Sequence, residues 1–167
     1  MSVQIPVFSK PDPVLNESLP WDYPRVFSRA LKVRSEDIDG LSHTNNAVYV
    51  QWCQFLAWGH SEALGLSIGD YQTLNRAMAI RSSTYDYVMP SHLDDSLLIG
   101  TWLTKSEKIS MERRFQVIRE SDGQIIMRGR WDLVCIEISS GRPKRLPSEF
   151  TEMYKPAVVP VLSEQDT

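Results

Sequence analysis

The segment Glu36-Asp37-Ile38-Asp39-Gly40-Leu41-Ser42-His43-Thr44-Asn45-Asn46 packs three carboxylates, one imidazole and two carboxamides into eleven positions. A carboxylate in such a cluster can attack a carbonyl carbon, or take the proton of a water that does so. The residues that follow read as a helix, and the first amides of a helix have no internal partner and carry the positive end of its dipole. A carbonyl oxygen that gains negative charge would be held there, as in an oxyanion hole. The same residue types are also ordinary caps, because Asp, Ser, Thr and Asn before a helix accept its free amides. Composition leaves both readings open.

The elements around this segment follow from periodicity. Residues 26–34 alternate Phe27, Leu31 and Val33 with Ser28, Lys32 and Arg34, as a strand with one buried face requires, although Arg29 interrupts the apolar set. From residue 46 to 64 the spacing changes to three and four through Val48, Trp52, Phe55, Leu56, Gly59 and Ala63, with Gln54 and Ser61 opposite. This predicts an amphipathic helix of about 28 Å, capped by Thr44 or Asn45 and ended by Gly65. Gly59 within it is expected where a sheet approaches the helix closely. Four strand-like runs follow, at 77–89, 96–105, 109–120 and 124–138, the last two joined by the hairpin signal Asp122-Gly123. A strand, a long helix and a strand meander predict an α+β fold with an antiparallel sheet wrapped around the central helix.

Composition narrows the function classes. The chain has 167 residues, 42% hydrophobic and 23% charged, which suits a single globular domain, and no run reaches the ~18 apolar residues of a membrane span. A net charge of −3 gives no overall attraction to nucleic acid. Cys53 and Cys135 lie far apart without metal-ligand spacing, so no metal, cofactor or disulfide framework is expected. The first 19 residues are polar and broken by Pro6, Pro11 and Pro13, unlike an export signal, so a soluble cytoplasmic protein is expected. Residues 1–24 and 151–167 read as an N-terminal arm and a C-terminal tail around a domain at 25–150, and the tail shows no periodicity.

Asp37-Ile38-Asp39, His43-Thr44-Asn45-Asn46 and Tyr49 together resemble the D-x-D-x-x-G-H-V-N-N-x-x-Y signature of the 4-hydroxybenzoyl-CoA thioesterase-like family. Pro90 and Asp95-Ser96-Leu97 extend the resemblance, which covers residues 25–150; Ser42 and Asp94 stand where that family commonly has Gly. The resemblance implies a hot-dog fold, a five-stranded antiparallel sheet around one long helix, and hydrolysis of an acyl-CoA thioester to free acid and CoA. It assigns the catalytic carboxylate to Asp39, a loop-holding role to Asp37, and the oxyanion-holding backbone amide to Asn46. His43 and Asn45 then stand as groups that assist catalysis or bind substrate.

An acyl-CoA substrate calls for a site apolar at one end and cationic at the other. Tyr49, Trp52 and Trp58 are candidates for the acyl end, though Tyr49 and Trp52 suit a core better. Arg128, Arg130, Arg142, Lys144 and Arg145 are candidates for the CoA phosphates. Hot-dog proteins build sites between subunits, so a homodimer or a dimer-of-dimers tetramer is expected. The rivals are an enoyl-CoA hydratase, whose Asn-Pro between Asp and His is absent here, and a non-catalytic acyl-binding protein, from which replacement of Asp39 would be expected.

Overall fold

The computed structural model of the protein describes residues 3–161. Its elements in chain order are α1 (Pro13–Ser18), β1 (Phe27–Lys32), α2 (Asn46–Ala63), α3 (Ile68–Leu74), β2 (Arg76–Tyr87), β3 (Ser96–Ser106), β4 (Ser110–Arg119), β5 (Ile125–Glu137) and α4 (Ser148–Tyr154). The strands form one five-stranded sheet in the order β1-β3-β4-β5-β2, antiparallel throughout. This is the α+β arrangement expected, with boundaries within two residues of the periodic runs. Gly123 turns the β4–β5 hairpin at φ 69°, and Gly65 leaves α2 at φ 99°.

Helix α2 lies against the inner face of the sheet. Its buried stripe is Tyr49, Trp52, Cys53, Leu56, Ala57, His60 and Ser61, packed on Ile99, Leu103, Phe115, Val117 and Trp131. Two helix expectations are corrected. Ser61, placed on the polar side by the period, is buried because the Tyr154 hydroxyl donates to it at 3.0 Å. Gly59 meets no backbone: a Cβ there would touch only the Phe27 ring at 3.9 Å, an ordinary contact that leaves room for Ala.

The outer face of an antiparallel sheet often faces water; here the N-terminal segment covers much of it. Trp21 and Tyr23 pack edge-on against Trp102 at 5.8 and 5.4 Å, and Gln116 bonds both the Pro20 carbonyl and the Asp22 amide. Gly100 is required beneath them, since a Cβ would lie 2.5 Å from Val26 and 2.7 Å from Trp21. At the other end, α4 runs through residue 151, where the sequence pattern begins a tail. Phe150, Tyr154 and Val159 are buried, and the Val159 amide donates to the Leu103 carbonyl at 2.8 Å. Among the described residues, no helix is long and apolar enough to cross a membrane.

Candidate active site

The loop between β1 and α2 uses its two aspartates differently. Asp37 is 2% exposed; its Oδ2 accepts the Arg34 amide at 2.8 Å and its carbonyl accepts the Asn45 amide at 2.8 Å. Asp39 is half-buried, and its backbone closes the tight turn that follows: its amide donates to the His43 carbonyl at 2.8 Å and its carbonyl accepts the Ser42 amide at 3.1 Å. Its Oδ1 accepts the Leu41 amide at 2.8 Å and the His43 amide at 3.3 Å. Oδ2 of Asp39 has no partner among the described residues. Ser42 occupies the turn at φ 65°, and Asp94 sits at φ 68°, so both residues that replace the family's glycine hold left-handed backbone.

The loop delivers the chain into α2 through Asn45, whose side chain accepts the Ala47 amide at 2.9 Å and whose carbonyl accepts the Val48 amide at 2.9 Å. The Asn46 N–H, by contrast, has no acceptor among the described residues. A buried hydroxyl cluster fixes this turn: Ser91 Oγ lies 2.6 Å from the Tyr49 hydroxyl and 2.7 Å from Thr44 Oγ1. From the sheet, the Tyr87 hydroxyl donates to the Asn46 carbonyl at 3.3 Å. Asp39, His43, Asn46 and Tyr49 thereby line one cavity of about 280 Å3, closed on its other side by Tyr87, Val88, Met89 and Pro90.

Residues 33–153 match the thioesterase-like superfamily. The chain belongs to that superfamily. It is 26% identical over 132 residues to the long-chain acyl-CoA thioesterase FadM of Escherichia coli, covering 77% of this chain and 96% of that protein. It is 22% identical over 124 residues to the chloroplastic acyl-acyl carrier protein thioesterase ATL3 of Arabidopsis thaliana; the match covers 74% of this chain and 65% of that relative's length. A Staphylococcus aureus protein solved in complex with CoA, SAV2348, shares the fold with a TM-score of 0.73 at 17% identity, over 80% of this chain and 86% of its own. The fold is the hot-dog fold.

Within this superfamily member, the remaining candidate residues fall elsewhere. The Asn45 side chain is occupied by its cap, and Trp52 is 2% exposed in the core, edge-on to Tyr49. Arg128 faces the outer side of the sheet, where Asp22 takes both its Nε and Nη2 at 2.6 and 3.0 Å. Arg130 pairs with Glu112 and Asp132. Arg142 is exposed past the end of β5; the Tyr87 end of the sheet pairs with Met127 and the Arg76 end with Glu137, so it lies ~33 Å along the sheet from its own chain's cavity. Tyr87 and the segment after it line this cavity although the periodicity did not single them out, because they read only as the end of a strand.

A second cavity, about 260 Å3, opens farther along α2. Gln54, Ala57, Trp58 and Ser61 form its helix side, Met78 and Ile80 come from β2, and Met111, Trp131 and Leu133 complete an apolar wall. Arg113 lies in it, 4% exposed. Its Nη1 donates to His60 Nδ1 at 3.0 Å and to Thr101 Oγ1 at 3.2 Å. Burial pushes the Arg113 guanidinium down to about 10, which leaves it cationic at neutral pH. Burial, and secondly the neighbouring Arg113 charge, push His60 down to about 3, so it is a neutral acceptor. Beside them the Tyr71 hydroxyl contacts that of Tyr154, which in turn donates to Ser61.

Proposed function

We propose that this protein hydrolyses an acyl-CoA thioester, with Asp39 as nucleophile or general base and the Asn46 backbone amide as oxyanion donor. The observation that carries this reading is the pair of unoccupied groups facing one cavity: Asp39 Oδ2, and the Asn46 N–H beside two neighbours already bonded. The amide bonds to Oδ1 fix the carboxylate's direction and leave the other oxygen to act. As Asp39 or its activated water reaches the thioester carbon, the carbonyl oxygen becomes anionic and meets the Asn46 amide at the positive end of α2. The tetrahedral adduct then collapses with loss of the CoA thiolate, which takes up the proton removed from water; on the nucleophilic route the collapse leaves an acyl–Asp39 anhydride, which a water hydrolyses to the free acid and the regenerated carboxylate. His43, at the cavity wall, positions the water or shields the charge.

The loop signature aligns the chain with 4-hydroxybenzoyl-CoA thioesterase-like enzymes, and the fuller match to FadM, over 96% of its length against 65% for the carrier-protein thioesterase ATL3, supports CoA as the thiol. The functional unit is a cytoplasmic homodimer. Strand β2 is a 12-residue sheet edge, mostly exposed beyond Ile80, and pairing with a second copy would cover it. Two-fold antiparallel pairing of β2 brings the Arg76 end of one chain toward the Tyr87 end of the other. The partner's Arg142, remote from its own cavity, then becomes available to the CoA phosphates.

The test is release of free CoA from a panel of short, long, branched and aromatic acyl-CoAs by the purified chain. Turnover of at least one at rates of about 1 s⁻¹ or more is expected. Binding of the panel without any CoA release would contradict the reading.

A further inference from the structure

Arg113 brings a permanent charge into an inner layer whose other polar members, His60, Ser61 and Thr101, are uncharged. It stands on β4 in register with Leu103 and Trp131, facing α2, and the groups it meets, His60 and Thr101, are uncharged. Among the described residues no carboxylate pairs with it, and its Nε and Nη2 have no partner. Neither nitrogen is sealed in protein, since Arg76 Nε is the one fully buried side-chain donor without a partner among the described residues, so Nε and Nη2 open onto the cavity and are free to meet an anionic group there. The groups around it are not built to supply negative charge, since Tyr71 and Tyr154 have their hydroxyls bonded to each other and burial pushes the Tyr71 pKa up, which keeps that phenol neutral.

The cavity says what shape the anion must have. Its walls are Trp58, Met78, Met111, Trp131 and Leu133, so the body of the ligand is apolar, while the Arg113 fork suits the two oxygens of a carboxylate. The cavity also lies on the same stripe of α2 as the catalytic turn. Residues 46, 50, 54, 57 and 61 share that stripe, and Gln54 stands ~12 Å along the axis from Asn46. A group that runs from a thioester at either of the paired catalytic turns along the helices would thus end here.

We propose that the Trp58–Arg113 cavity binds the far end of the acyl group and that Arg113 selects acyl chains ending in a carboxylate. The substrates would be CoA monothioesters of α,ω-dicarboxylic acids. This rests on the thioesterase reading and adds to it the chemistry of the acyl terminus. Arg113 acts as a specificity residue distant from the reacting carbonyl.

The experiment compares kcat/KM for dodecanoyl-CoA with that for the CoA monothioester of dodecanedioic acid, two substrates that differ only at the far end. Loss of a charge-assisted hydrogen bond corresponds to about 10- to 100-fold, so the wild-type protein should favour the carboxyl-terminated substrate by that ratio. In Arg113→Met the ratio should collapse to one or below, and Arg113→Lys should retain part of it. A wild-type enzyme that turns over both substrates with no preference for the carboxyl end overturns the proposal, whether or not the variants fold. Binding of octanoate against octan-1-ol, followed by Trp58 and Trp131 fluorescence, separates this proposal from the activity itself. If no acyl-CoA is cleaved but octanoate binds about tenfold tighter than the alcohol, and loses that margin in Arg113→Met, the thioesterase reading falls and the anion site stands. If neither cleavage nor that margin is found, both fall.

Discussion

The two ends of α2 treat polar groups in opposite ways. At its N-terminus, Asp39, His43 and Asn46 are half-buried or exposed, and the loop bonds the Leu41, His43 and Ala47 amides while leaving Asp39 Oδ2 and the Asn46 N–H unpaired among the described residues. Toward its C-terminus, His60 and Arg113 are buried in an apolar layer, and the same helix faces a cation with no acid beside it. The first end is prepared for a charge that develops during reaction; the second holds a charge that is permanent. One element of 18 residues can serve both because its start stands at the surface while the inner face of its second half is covered by α3, α4 and the sheet except at the mouth of the second cavity.

The largest effect that would break this comparison belongs to the N-terminal end. Asn46→Pro deletes the unbonded N–H while the first turn of a helix tolerates proline's fixed φ. Turnover should fall about 100- to 1000-fold with substrate binding changed much less. A folded Asn46→Pro protein with wild-type kcat would place the oxyanion donor elsewhere.

Asp37 sharpens the contrast inside the loop. Its buried carboxylate accepts the Arg34 amide, so Asp37→Asn should cost roughly 1.5 to 3 kcal/mol of stability, read from urea unfolding, and lower kcat far less than changes at Asp39. An unchanged unfolding midpoint with abolished turnover would exchange the roles of the two aspartates.

The buried His60 at the other end is probed by pH. His60 stays neutral in the folded protein down to about 3, against an ordinary value of 6.5. Above 6.5 it is neutral in both states and contributes no pH dependence. Below that, the unfolded chain binds a proton that the folded chain refuses, so stability is lost as pH falls from 6.5 toward 3, by up to about 1.4 kcal/mol per pH unit. In His60→Gln, which keeps an acceptor for Arg113, stability measured between pH 7 and 4.5 should decline less steeply. An identical slope would mean that His60 is not held neutral.

How far these ends were legible in the sequence depends on whether their signals are local. The central helix was legible because Asn45 caps it, Gly65 ends it and the apolar spacing between them is regular. The meander was legible because each strand ends at a turn residue. The catalytic loop stood out because carboxylates, imidazole and carboxamides rarely crowd a simple connector. Arg113 did not stand out, although β4 carries the signal: Met111, Arg113, Phe115 and Val117 alternate with Glu112, Arg114 and Gln116, so strand period alone puts Arg113 on the apolar side. Flanked by the charged Glu112 and Arg114 it reads as surface all the same, and the contact with His60 on α2 fixes it inside. The N-terminal cover and the packing of Phe150 and Tyr154 were equally out of reach, being contacts across the chain with no period of their own. The pairing of Arg128 with Asp22 was out of reach for a related reason, since the two lie 106 positions apart.

The central claim is that Asp39 performs the chemistry, and it is tested most directly by CoA release from the best acyl-CoA in the panel by Asp39→Asn. The substitution keeps the shape of the side chain and an oxygen for the Leu41 and His43 amides, while removing the charge. Turnover should drop by about 100-fold or more with the unfolding midpoint little changed. Wild-type release of CoA by a well-folded Asp39→Asn protein would contradict the account.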